Sequence, residues 1–167
     1  MNTPPLIAQA TLPSPLGPLL LGATERGLAW LWFIDPTYHA TNTLDAPEDP
    51  AQRWIAAAAD ELACYWRGSC PTRFRVPLDL HGTPFQVAVW QALLEVPPGR
   101  TSTYSAIARR VGAPQAARAA GAAIGRNPVA IIVPCHRIVG SNGSLTGFAS
   151  GLPRKERLLQ HEGALLV

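Results

Sequence analysis

Apolar residues near the start of the chain come in short runs, Leu6 to Leu12, Leu19 to Ala23 and Leu28 to Phe33. They are separated by Pro13–Pro18 and by Glu25-Arg26-Gly27. Runs of this length between turn residues predict strands. Residues 35–47 are a polar, proline-containing loop. Asp49-Pro50 then opens a helix, with Asp as N-cap and Pro in the first turn. Its apolar and alanine positions run to Trp66, and Gly68 closes it. Residues 71–82, containing Phe74-Arg75-Val76-Pro77-Leu78, read as one more extended piece. The pattern predicts a small α/β domain over residues 1–80.

Beyond Leu80-His81-Gly82 the spacing becomes helical, and residues 81–167 are expected to form a second domain. Thr83-Pro84-Phe85-Gln86 carries a capping box, and Phe85, Val89, Trp90 and Leu93 fall on one face. Pro97-Pro98-Gly99 ends that helix. A short helix follows from Thr103 to Val111, stopped by Gly112, and another from Ala113-Pro114 to Gly125. Two short helices around a glycine turn predict a helix-turn-helix. A last helix is expected over Pro153 to His161. Internal repeats and low-complexity tracts are absent from the sequence.

With 167 residues, 47% of them apolar, the chain can bury a real core. None of its apolar runs approaches the ~18 residues of a membrane span, so no membrane partner is expected. The first residues lack the basic-then-apolar order of a secretory signal. Three cysteines without regular spacing argue against a disulfide framework and for a reducing, cytoplasmic setting. Cys64 and Cys70 read as small hydrophobes. With His39 and His81 they lack metal-ligand spacing, so neither metal nor cofactor is expected.

Charge divides the chain. Residues 1–99 hold five arginines against nine acidic residues, a net −4; residues 100–167 hold nine basic against two acidic, a net +7. No acidic residue occurs between Glu95 and Glu156. Such a span suits a polyanion, most simply nucleic acid. The helix from Pro114 sharpens this reading. It is built of alanine and glycine, with Arg118 as its one long polar side chain in the middle. A helix that reads base edges in the major groove carries several long polar side chains. A helix of small residues can instead press close to the minor groove and send one arginine into the base stack, as nucleotide flipping requires. The competing reading is tight helix packing, with Arg118 merely solvated.

The chemistry concentrates in Val133-Pro134-Cys135-His136-Arg137, which follows the apolar stretch Val129 to Val133. A thiol beside an imidazole at the edge of a core suits a nucleophile, because thiolate is the reactive form and a neighbouring base or cation makes it available.

These residues, with their neighbours, resemble the O6-alkylguanine-DNA alkyltransferases. The resemblance rests on Pro134-Cys135-His136-Arg137 preceded by Arg126-Asn127-Pro128. Ala117-Arg118-Ala119-Ala120-Gly121, Thr103-Tyr104, Phe85-Gln86 with Val89-Trp90, and Pro97-Pro98-Gly99 match upstream. Gly147-Phe148, Gly151, Lys155, Leu158-Leu159 and His161-Glu162 match downstream. It is dense over residues 83–163 and looser before. It implies a ribonuclease-H-like N-terminal domain and a helical, winged helix-turn-helix C-terminal domain. The implied activity is irreversible, single-turnover transfer of an alkyl group from O6-alkylguanine, and also O4-alkylthymine, in double-stranded DNA to Cys135.

In that resemblance His136 is the base, acting through a water, and Glu162 orients it. Asn127 braces the active-site turn, Arg118 fills the gap left by the flipped nucleotide, and Tyr104 turns the 3′ phosphate and donates toward the leaving base. Ser105, Ala113 and Ser141 fall at DNA-contacting positions, and Phe148 and Ala149 at the alkyl-base pocket. A monomer that clusters along DNA is expected. Three positions depart from the common pattern. Phe148 stands where many relatives have Tyr, Ala149 where some have a hydroxylated residue, and Ser150 where Gly is common. They bear on the bulk of adduct accepted. Two rival readings remain at this point. A lesion sensor would bind without transfer, and a cysteine hydrolase would turn over without DNA; the acid-free span gives the latter no support.

Overall fold

A computed structural model describes residues 8–37, 49–68 and 73–165. The chain divides into two compact units, Met1–His81 and Gly82–Val167. Leu6, His39, Cys70 and most of the polar loop lie outside the described residues.

In the first unit β1 (Ala8–Leu12), β2 (Leu19–Ala23) and β3 (Leu28–Phe33) form an antiparallel sheet in the order β1-β2-β3. Every residue of β2 is buried, as a central strand covered on both faces requires. Helix α1 (Pro50–Trp66) starts where the sequence places it: the Asp49 carboxylate accepts from Ala51 N at 2.8 Å, and Pro50 occupies the first position. Gly68, at φ +69°, ends it. Ala51, Ile55, Ala58 and Leu62 are the core of α1. The extended piece expected over 71–82 makes only one bridge, Leu28 to Leu78. With Pro77 lacking an N–H, this segment cannot continue a ladder.

In the second unit α2 (Pro84–Leu93) carries the predicted capping box: Gln86 N donates to the Thr83 hydroxyl and Thr83 N to Gln86 Oε1. Next come β4 (Ser102–Thr103), α3 (Tyr104–Arg110) and α4 (Ala117–Gly125). A turn of 3-10 helix (Cys135–Arg137) leads into β5 (Ile138–Val139), which pairs in parallel with β4. Helix α5 (Leu152–His161) completes the unit.

Helix α4 begins at Ala117, three residues after the predicted start. Ala113–Ala116 is instead a separate turn closed by Ala116 N to Ala113 O. Gly112, at φ +74°, makes the reversal between α3 and α4. The small residues of α4 divide between a buried and an exposed face. Ala120, Ala123 and Ile124 are buried, and the buried indole of Trp90 donates to Ala123 O at 2.8 Å. Ala119 and Ala122 are exposed beside Arg118.

Candidate active site

The stretch Val129 to Val133 is buried but is not a strand. It turns back on itself twice in seven residues. Ile132 N donates to Ala130 O at 2.8 Å around Ile131, whose φ is +70°. Cys135 N donates to Val133 O at 2.8 Å around Pro134, at φ −84° and ψ 63°. Both are γ-turns, the second of the common inverse kind. Their effect is to deliver Cys135 to the start of a 3-10 turn at the core edge.

Asn127 clamps this segment. Its Nδ2 donates to Val133 O at 2.8 Å and to Cys135 Sγ at 3.0 Å, while its Oδ1 accepts from Val129 N at 3.0 Å. Burial pushes the Cys135 thiol pKa up; donation from Asn127 and the positive charge of Lys155 oppose that rise by favouring thiolate.

His136 is fully buried, and its Nε2 meets Glu162 Oε1 at 2.8 Å. Burial holds the imidazole below its ordinary pKa, against the pull of the Glu162 carboxylate. Glu162 is ionised. Burial works against this, but hydrogen bonds and charge from His136 and Arg137 bring its carboxyl to about 2. An ionised carboxylate only accepts, so neutral His136 carries its proton on Nε2. Nδ1 is then a lone-pair acceptor, and it is buried without a hydrogen-bond partner in the protein.

The Glu162 side chain is 1% exposed, so it is no frayed terminal carboxylate. It lies at the C-cap of α5. Arg137 grips it with Nε at 2.9 Å and a terminal nitrogen at 2.8 Å, and its other terminal nitrogen donates to Val96 O at 2.6 Å. Gly99, at φ +76°, lies against the Glu162 carbonyl: a Cβ there would come within 3.2 Å of it. Thus the Pro97-Pro98-Gly99 turn, the Cys135 turn and the end of α5 converge on Glu162.

Lys155 is the chain's single lysine among 14 basic residues, and it is fully buried. Its Nζ donates to Ile138 O, to Thr146 O at 2.6 Å and to Gly147 O at 3.4 Å. Burial lowers its pKa to about 8, with the Cys135 thiolate acting the other way. Tyr104, first residue of α3, donates to the same Thr146 carbonyl at 2.9 Å. Its ring lies against Gly121 of α4, where a Cβ would sit 3.5 Å from it.

The other residues singled out from sequence lie around this centre. Arg118 is exposed on α4, Ser105 is half-buried at the start of α3 and shares a 3.1 Å hydroxyl contact with Thr103, and Ala113 is half-buried in the turn before α4. Ser141 is exposed in the turn after β5. Phe148, half-buried, and Ala149, exposed, lie in the loop that enters α5. Sequence reasoning counted Arg137 and Lys155 with the polyanion-facing charge; both are instead internal. A lone lysine in an arginine-rich chain was the available signal. Among the described residues, no three His, Cys, Asp or Glu side chains are grouped to hold a metal, and no helix is long and apolar enough to cross a membrane.

Comparison with known proteins decides the family. A family described as "6-O-methylguanine DNA methyltransferase, DNA binding domain" matches residues 84–164, and one described as "6-O-methylguanine DNA methyltransferase, ribonuclease-like domain" matches residues 7–80. A methylated-DNA–protein-cysteine methyltransferase of Mycobacterium tuberculosis is 46% identical over 94% of this chain and 93% of its own length. This chain belongs to the 6-O-methylguanine DNA methyltransferase family.

Other members agree in sequence and in fold. The Methanosarcina acetivorans methylated-DNA–protein-cysteine methyltransferase is 44% identical over 93% of this chain and 97% of that one. A Mycobacterium tuberculosis OGT solved in complex with DNA superposes with a TM-score of 0.79 at 44% identity, covering 92% of this chain and 91% of that one. The α/β first unit and helical second unit are therefore those of this methyltransferase family.

Proposed function

We propose that this chain repairs duplex DNA by moving the alkyl group of O6-alkylguanine, and of O4-alkylthymine, onto Cys135 in a single irreversible step. The observation that carries the reading is the joint placement of Cys135 and His136. The thiol is clamped by Asn127, and the adjacent imidazole, held by Glu162, presents an unprotonated Nδ1. Nδ1 has no hydrogen bond to the thiol, so the proton leaves Sγ through an intervening water. The thiolate attacks the alkyl carbon, the bond from that carbon to O6 of guanine or O4 of thymine breaks, and its electron pair passes to the base, which takes up a proton. Tyr104, by turning its one hydroxyl proton from Thr146 O toward the leaving base, stabilises the charge that grows there. The product is a thioether. No group in the site regenerates the thiol, so each chain reacts once.

Recognition follows the same surfaces. Exposed Arg118, beside exposed Ala119 and Ala122, suits close approach to the minor groove, with the arginine filling the place of a flipped nucleotide. Tyr104, Ser105, Ala113 and Ser141 contact the DNA backbone, and exposed Arg100, Arg109, Arg110 and Arg126 supply its counter-charge. Phe148 and Ala149 line the pocket for the alkylated base. The chain acts as a monomer that clusters along DNA, in the cytoplasm of a bacterial-type cell.

Substitution of the acceptor tests this reading. Cys135→Ser should abolish transfer from a duplex carrying one O6-methylguanine while keeping DNA binding. Transfer retained by the serine variant would refute the assignment.

A further inference from the structure

We infer that Ile131 is a positioning residue for Cys135, acting through the strained γ-turn that it centres. The inference rests on Cys135 being the acceptor. Ile131 is the one non-glycine residue with positive φ among those described, at +70°. A β-branched side chain is the least suited to that region, because its Cβ substituents crowd the backbone there. The i→i+2 bond from Ile132 N to Ala130 O, at 2.8 Å, marks the rarer and more strained of the two γ-turns. The Ile131 side chain is fully buried. Any relaxation to an ordinary φ would swing that side chain out of the core, so burial holds the turn in its strained form.

The strained apex and the Asn127 clamp work on the same loop. Val129 N donates to Asn127 Oδ1 ahead of the apex, and Val133 O and Cys135 Sγ accept from Asn127 Nδ2 behind it. Val133 N also donates to Val129 O at 3.0 Å, closing the loop at its base. One Asn127 amide can accept from Val129 N and donate to Val133 O only if the chain between those two residues reverses tightly. Ile131 sets that reversal. A glycine would permit the same turn without strain, but would leave it free to open. The buried isoleucine therefore fixes the direction in which Sγ points, which in-line displacement needs.

Two variants separate strain from packing. Ile131→Ala and Ile131→Gly leave nearly the same cavity, but only glycine relieves the φ strain. Each is compared by thermal melting, by the rate of Cys135 alkylation with iodoacetamide located by peptide mass, and by reaction with free O6-benzylguanine. The glycine variant should melt at or above the alanine variant, yet like it react about tenfold more slowly than the parent or worse. Its thiol pH profile should shift to higher pH as the Asn127 bond loosens. Ile131→Val, which keeps the β-branch, should react within about twofold of the parent. The inference is overturned if the alanine and glycine variants react at the parent's rate, if glycine melts below alanine, or if valine loses as much as glycine. Failure of the parent protein to take a methyl group from duplex O6-methylguanine would instead count against the proposed function, and the iodoacetamide comparison would still decide the role of Ile131.

Discussion

Glu162 accepts the Nε2 proton of His136 at 2.8 Å in a site that water barely reaches, and this one contact fixes which imidazole nitrogen can act as a base. Glu162→Gln removes the charge while keeping the shape. The amide can turn its NH2 toward Nε2, which forces the proton onto Nδ1 and disables it as acceptor. Arg137 is left buried without its counter-ion. Stability should fall by about 3 kcal/mol or more in urea melts, and benzyl transfer should slow at neutral pH. A variant that unfolds like the parent would show that the pair contributes nothing to the fold.

Acid should destabilise the second unit in two stages. The folded pKa of His136 lies below its unfolded value, so the unfolded chain takes up more protons and stability falls as pH drops below about 6.5. The Glu162 carboxyl, brought to about 2 when folded, adds a second loss as pH falls from the ordinary glutamate range toward that value. Melting temperature measured from pH 8 to pH 3 should decline through both windows. The lower decline should be smaller in Glu162→Gln, and an equal slope in both proteins would contradict the assignment.

Lys155→Met tests the buried cation. Removing its charge from beside Cys135 leaves burial less opposed, so the thiol should titrate at higher pH and react more slowly near pH 7. The stability signature has the opposite sense from a surface lysine. Its folded pKa of about 8 lies below the unfolded value of about 10.4, so the unfolded chain binds the extra proton between them. The lysine's contribution to stability therefore rises with pH across that window. Subtracting the Met variant's pH–stability curve from the parent's should reveal this rise, and a flat difference would mean that the lysine titrates normally.

Arg118→Ala should slow repair of duplex O6-methylguanine far more than reaction with free O6-benzylguanine. On the proposed reading the exposed arginine acts on the flipped state of the DNA and not on the thiol. Equal slowing with both substrates would remove the finger role.

Much of this was legible in the sequence because it is local. The Asp49 and Thr83 caps, the three strands and the glycine stop at Gly112 each depend on neighbours a few residues apart, and the structure places all of them as expected. Cys135, His136 and Asn127 could be named because they sit within ten residues. Their geometry was not legible. The apolar letters of Val129 to Val133 would suit a strand, a helix or the paired γ-turns found, and only the positive φ at Ile131 distinguishes them. Arg137 and Lys155 were miscounted because a basic side chain in sequence carries no mark of burial. Their partners, Val96 O, Thr146 O and Glu162, are set by tertiary packing.

The most direct test of the account is intact-protein mass spectrometry after incubation with a duplex holding one O6-methylguanine. A gain of about one methylene's mass, mapped to Cys135 and saturating at one per chain, is the predicted result. Tight, lesion-selective binding with no change in mass would contradict it and turn the protein into a sensor of damage.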